Sequence, residues 1–127
     1  MEIKALLDDA RDKHEQWYQE LVNSIIDHHG QVGDEMAVSH QECAFGEWLN
    51  HVGMQIYHDV NEMRELNRHH REFHGHVQAL VGHQHHHMKS RREYVQIEQS
   101  RDAMMHSFDL LETRLADPEM QQRRRSD

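Results

Sequence analysis

Apolar positions along the chain recur every three or four residues and nowhere alternate, which is the period of helices and not of strands. The first stripe runs Ile3, Leu7, Ala10, His14, Trp17, Leu21, Ile25 and His28. A later one runs Val60, Met63, Leu66, His70, His74, Val77 and Val81, and the last runs Tyr94, Ile97, Arg101, Met104, Phe108, Leu111 and Leu115. Ser39 with Glu42, Asp59 with Glu62 and Ser90 with Glu93 have the form of a helix cap followed three residues later by glutamate. Gly30, Gly53 and Gly82 read as left-handed stops, and Pro118 follows the final periodic segment. Together these signals predict helices at about 2–29, 40–52, 60–81 and 91–116. The fold class expected is all-α, an antiparallel four-helix bundle with a short second helix that carries the cysteine. Residues 1–117 are expected to form a single domain and 118–127 a polar, disordered tail, whose three arginines are weak grounds for a partner.

Composition narrows the function classes. A chain of 127 residues holds one core, and with 36% hydrophobic against 29% charged residues its burial must come from narrow helical stripes. No apolar run approaches the roughly 18 residues of a membrane span, and the N-terminus lacks a secretory core, so no membrane insertion and a cytoplasmic setting are expected. The net charge of −9 has the wrong sign for a general nucleic-acid binder. Fifteen histidines are the anomaly: they turn the question to metals, which neutral imidazoles bind well. Cys43 is the sole cysteine, so it forms no intramolecular disulfide. Its expected place in the first turn of its helix favours a thiolate, as nucleophile or as metal ligand.

Helices of about 35–40 Å put His14 and the pair His70/His74 each near mid-length, where they can meet at one level. Ser100 and Arg101 fall at that level in the last helix, so Ser100 or Glu98 is expected to accept an imidazole N–H. Buried imidazoles converging on one layer need a common partner, and a metal supplies it. Three imidazoles and one thiolate are a closed tetrahedral zinc set with no vacant position for an activated water, which argues for binding or sensing and against an enzyme.

The segment Cys43-Ala44-Phe45-Gly46-Glu47-Trp48-Leu49, with His14 and Trp17 upstream and His70-x-x-x-His74 downstream, resembles the chemoreceptor zinc-binding (CZB) domain. The resemblance implies a helical bundle holding one Zn²⁺ per chain through His14, Cys43, His70 and His74. It also implies a place in bacterial chemotaxis and related signal transduction, where zinc occupancy, and in some members oxidation of the cysteine, modulates output. No receptor or cyclase domain of that kind is expected beside the bundle in these 127 residues, so its signal is expected to pass through a homodimer interface or a signalling-protein partner. Cys43 is the ligand expected to switch, freeing the segment from Ser39 to Val52 to move.

Two other readings compete. A hemerythrin-like di-iron oxygen or redox protein has a foothold in His58-x-x-x-Glu62 ahead of His70-x-x-x-His74. It lacks a His-x-x-x-x-Asp in the last helix, and the helix start at Asp59 leaves His58 outside the bundle. A zinc-stapled structural adaptor has the same ligands without sensing. His83, His85, His86 and His87 read as a solvated loop after Gly82, with a weak secondary metal site as the rival. His69 points about 100° away from His70 and should not share the site. Trp17, Phe45, Trp48 and Leu49 read as core wall, and Met54, Met63, Met104 and Met105 as adaptable core.

Overall fold

The long stripes fold as three helices of 25 residues each, about 37 Å long at 1.5 Å per residue. The computed structural model describes residues 3–27, 33–39, 43–85 and 91–120. In chain order the helices are α1 (Ile3–Asp27), α2 (Ala44–Trp48), α3 (Met54–Ile56), α4 (Asn61–His85) and α5 (Arg91–Leu115), and no strand occurs among the described residues. Leu7 and Leu21 of α1, Met63, Leu66, Val77 and Leu80 of α4, and Met104, Phe108 and Leu111 of α5 close into one core. Cross-helix pairs give the directions. His14 meets His70 and Trp17 meets Phe73, so α1 and α4 run parallel. Arg101 meets Glu15 and Arg11 meets Asp109, so α5 runs antiparallel to α1. The all-α bundle is the expected one, and its fourth member is the short, broken helix that follows Cys43.

That member departs from the expectation in detail. Its helix begins at Ala44 and not at residue 40, with Cys43 as the capping residue in extended backbone (φ −71°, ψ 134°). The Cys43 N–H donates to the Ser39 carbonyl at 3.2 Å, and residues 40–42, including Glu42 of the expected cap, lie outside the described residues. Gly53 does not stop the helix. It has φ −56° and ψ −51°, and the chain passes from α2 through a π-helical turn, Leu49–Gly53, into α3.

Gly82 does not stop α4 either, because a helical backbone accepts glycine at a modest entropic cost. α4 continues to His85, so His83 and His85 stand on helical backbone and not in a loop. Their side chains and residues 86–90 lie outside the described residues, and with them the secondary metal site; the same holds for Gly30 and Ser90. At the far end residues 118–120 form another helical turn, and Met120 is buried in the core three residues past the expected boundary at 117. Residues 121–127 lie outside the described residues. A 3-10 turn at Asp34–Met36, which no sequence signal marked, buries Met36.

Gly75 and Gly82 both lie inside α4 with open space where a Cβ would stand. Replacing either with alanine removes backbone freedom from the unfolded chain without meeting any atom. Gly75→Ala and Gly82→Ala should each stabilise the fold by about 0.5–1 kcal/mol, read as a raised urea midpoint at unchanged slope.

Across the seam of α1 and α5, Asp8 and Glu112 share a hydrogen bond. Burial, then the bond to Asp8, pushes the Glu112 carboxyl up to about 7. The proton on Glu112, then Lys4 at 2.9 Å, holds Asp8 below its usual range. The folded protein therefore keeps a proton on Glu112 that the unfolded chain releases near its ordinary pKa of 4.5. This contribution is complete below that value and is lost as pH rises through about 7. Glu112→Gln keeps a neutral donor at every pH, so melting temperature measured from about pH 5 to about pH 8 should fall less in the variant than in the wild type.

Candidate metal centre

α1 and α4 lie parallel with His14 and His70 at one level, and the i,i+4 spacing of His70 and His74 sets both α4 imidazoles on the same face. All three histidines are buried. His14 Nδ1–H donates to the Ala10 carbonyl one turn back in α1, at 2.7 Å. His74 Nδ1–H donates to the Val38 carbonyl at 2.8 Å, which ties the segment before Cys43 to α4. In both rings the bonded Nδ1 fixes the tautomer and leaves the ring's lone pair on Nε2. Burial pushes His14 below the ordinary histidine range, against the opposing pull of the Ala10 carbonyl, so the ring is held neutral.

The fourth donor arrives from the opposite side. Cys43, half-buried at the head of α2, puts Sγ 3.4 Å from His14 Nε2, and His70 Nε2 lies 3.1 Å from the same nitrogen. One donor atom from each of His14, Cys43, His70 and His74 lies within 4.8 Å of all the others. A zinc tetrahedron with bonds near 2.0–2.1 Å to nitrogen and 2.3 Å to sulfur has edges of roughly 3.3 Å between nitrogens and roughly 3.6 Å from nitrogen to sulfur. Both short separations come close to those edges. Two ring nitrogens 3.1 Å apart also need a proton or a cation between them, since facing lone pairs repel. The donor set and its spacing fit zinc.

Aromatic rings enclose the cluster. Trp17 stacks on His74 at 4.9 Å between centroids, and Phe45 meets His14 and His70 edge-on at 5.9 and 5.3 Å. Two cavities, of about 200 and 350 Å³, open on either side of Cys43, and Lys13, His14 and Cys43 line both. The thiol corner borders both spaces together with His14, while His74 borders the smaller.

The other polar residues expected at this level do something else. Ser100 Oγ donates to the Gln96 carbonyl within its own helix. Arg101 makes a two-pronged ion pair with Glu15, Nε to Oε2 at 2.8 Å, and its guanidinium lies 5.2 Å from the Tyr18 ring centre. Glu98 is exposed. The acceptors for the His14 and His74 imidazoles are the backbone carbonyls of Ala10 and Val38, not side chains. Only the i−4 position of Ala10 beneath His14 hinted at either.

The di-iron alternative finds no support in the placement of its residues. His58 is exposed, with Nδ1 3.4 Å from the Gln55 carbonyl, and Glu62 faces Arg114 at 3.8 Å. His69 turns to Glu65 at 3.6 Å, away from the cluster. Among the described residues, the one group of three or more such donors close enough to hold a metal is His14, Cys43, His70 and His74.

A family model for the chemoreceptor zinc-binding domain matches residues 14–81, more than half of the chain. The chain belongs to that family. No curated protein and no solved structure matches it. The matched span opens on His14 and contains all four clustered donors, so the zinc that this regulatory family binds has one candidate site among the described residues. No helix among the described residues is long and apolar enough to cross a membrane.

Since backbone carbonyls orient His14 and His74, Ser100 bonds within its own helix and Glu98 is exposed, removing either side chain should have no effect on the metal. Ser100→Ala and Glu98→Ala should both keep wild-type zinc affinity in competition with a chelator; a tenfold loss in either would return that residue to the site.

Proposed function

We propose that His14, Cys43, His70 and His74 hold one Zn²⁺, and that this CZB domain is a regulatory module without turnover whose conformation reports zinc occupancy in bacterial signalling. The observation that carries the reading is the convergence of four donors, from α1, the head of α2 and α4, within 4.8 Å of one another in a layer where all three histidines are buried. Four protein donors fill a tetrahedral zinc, which leaves no coordination position for an activated water. With one thiolate and three neutral imidazoles the site carries a charge of about +1.

Zinc in this position ties α1 to α4 and draws the Cys43 turn onto both. Filling the site therefore changes the free energy of a particular arrangement of three segments, which is what a sensor requires. Oxidation of Cys43 would remove the thiolate charge and act on the same arrangement, so an oxidant could serve as a second input. The output passes to a second copy of the chain or to a signalling partner, in the cytoplasm. The domain on this reading spans residues 1–117, and Met120, just past that bound, is buried in the same core.

Purified protein should bind one equivalent of zinc and hold it against a mild chelator. His70→Ala or His74→Ala should weaken binding and lower the melting temperature of the zinc-loaded protein together, because ligand bound at a hundred times its Kd contributes about 2.7 kcal/mol to folding. Cobalt in place of zinc should give intense tetrahedral bands with a thiolate-to-metal transition. Octahedral cobalt, or two equivalents of iron with oxygen-sensitive absorption, would overturn the ligand set. A melting temperature that follows zinc while the complex with partner or second copy does not would leave the zinc a structural staple and overturn the sensing role.

A further inference from the structure

Gly53 lies ten residues from Cys43, and its backbone is ordinary right-handed helix that any residue adopts. Conformation therefore does not call for glycine here, but space does. A Cβ on residue 53 would stand 2.9 Å from Trp48 Cζ3, 3.2 Å from Cη2 and 3.4 Å from Cε3. Non-bonded carbons settle at about 3.5–4.0 Å, so the indole edge occupies the place of the missing methyl.

Neither side of this contact can yield at no cost. On one side the Gly53 carbonyl accepts the N–H of Tyr57 at 2.9 Å, and Tyr57 is fully buried, which anchors the end of the π turn. On the other side Trp48 stacks on Phe45 with centroids 5.9 Å apart and planes 13° from parallel. Phe45 in turn is wedged between His14 and His70, and lies 5.3 Å from the Phe108 ring of α5. It cannot move inward without displacing buried rings from three helices. Pressure from residue 53 is then relieved outward, by moving the single turn that carries Cys43, Phe45 and Trp48.

On this basis, and resting on the four-donor zinc reading above, we propose that Gly53 is a positioning residue: by admitting the edge of Trp48 it lets the Trp48–Phe45 stack seat Cys43 Sγ on the metal. The three imidazoles stand on long helices and do not depend on this brace. A zinc–sulfur bond tolerates an error of only about 0.2 Å, so a displacement of the turn by the missing clearance removes the sulfur and spares the nitrogens. Gly53 thereby decides whether the metal sees one sulfur and three nitrogens or three nitrogens alone, and so how strongly the site prefers zinc over metals that favour nitrogen and oxygen.

The test uses the full chain loaded with cobalt, read by absorption, with zinc affinity measured by chelator competition. Gly53→Ala should lose the thiolate-to-cobalt transition and bind zinc about 10- to 100-fold more weakly, while Gly82→Ala, which adds a methyl in open space, should change neither. Adding Trp48→Phe to Gly53→Ala removes the outer ring atoms that the methyl meets and should restore the transition. A Gly53→Ala protein that keeps the transition overturns the proposal, as does a double variant that loses it as fully as the single one. If Gly53→Ala loses its helical circular dichroism, Trp48→Ala carries the same test without added bulk: a weakened transition in a helical protein supports the brace, and a full one overturns it. Wild-type protein without the transition would overturn the four-donor reading and the brace with it, an outcome distinct from a wild type that has it and a variant that keeps it.

Discussion

Burying three imidazoles and a thiol in one layer is the constraint to which the rest of the bundle answers. Each ring must lose water without losing hydrogen bonds, and a buried polar group left unmatched costs several kcal/mol against an apolar one of similar size (about 2–7 kcal/mol). His14 and His74 meet the demand by giving Nδ1–H to backbone carbonyls, which turns Nε2 toward the common centre. That choice creates a second demand, because His14 Nε2 now faces His70 Nε2 at 3.1 Å and Cys43 Sγ at 3.4 Å, and a proton or a cation must lie between such atoms. A cation would satisfy it for all four donors at once, and on the zinc reading proposed above the metal is the last member of the hydrogen-bond accounting in the core and not an addition to it.

The arrangement of helices follows from the same layer. α1 and α4 run parallel with their histidines level, and α5 gives no donor but closes the layer with Phe108 and clamps α1 through Arg101 and Glu15. The links between α1 and α5 form a ladder of Glu15–Arg101, Arg11–Asp109 and the shared proton of Asp8 and Glu112. Partly exposed ion pairs of this kind are worth about 1 kcal/mol or less, so they set the register of α1 more than they hold it down. Apolar burial and the packed histidine layer supply the attachment.

The sequence was most informative where a single physical signal operated alone. The stripes of α1, α4 and α5 and the histidines interrupting them are periodic, and periodicity alone aligned His14 with His70 and His74. Glycine was less legible, since the same residue serves as a left-handed stop, as a neutral member of a helix and as clearance for a ring. Gly82 is the second and Gly53 the third, and only the position of the Trp48 ring tells them apart. The cap signal of Ser39 predicts Cys43 inside the first turn of its helix, whereas Cys43 is itself the capping residue, in extended backbone. The carbonyls of Ala10 and Val38 had no signal to offer, since every residue carries the same backbone.

The four corners of the candidate site are mechanically unequal, and the inequality has a direction. His14, His70 and His74 stand on helices of 25 residues, and two of the rings are held by a second bond. Cys43 stands in extended backbone at the head of a five-residue helix that gives way to a π turn, with cavities on both sides. Displacing a histidine would unpack a long helix, whereas displacing the thiol moves one turn into space that is already there. An element can act as a switch only if its alternative state lies a few kcal/mol away, within reach of the free energy that a ligand or a modification supplies. Of the segments that bring the four donors together, the turn carrying Cys43 and Trp48 is the one built on a short helix, so on the zinc reading proposed above it is the corner where a signal would start, next to His14 of α1.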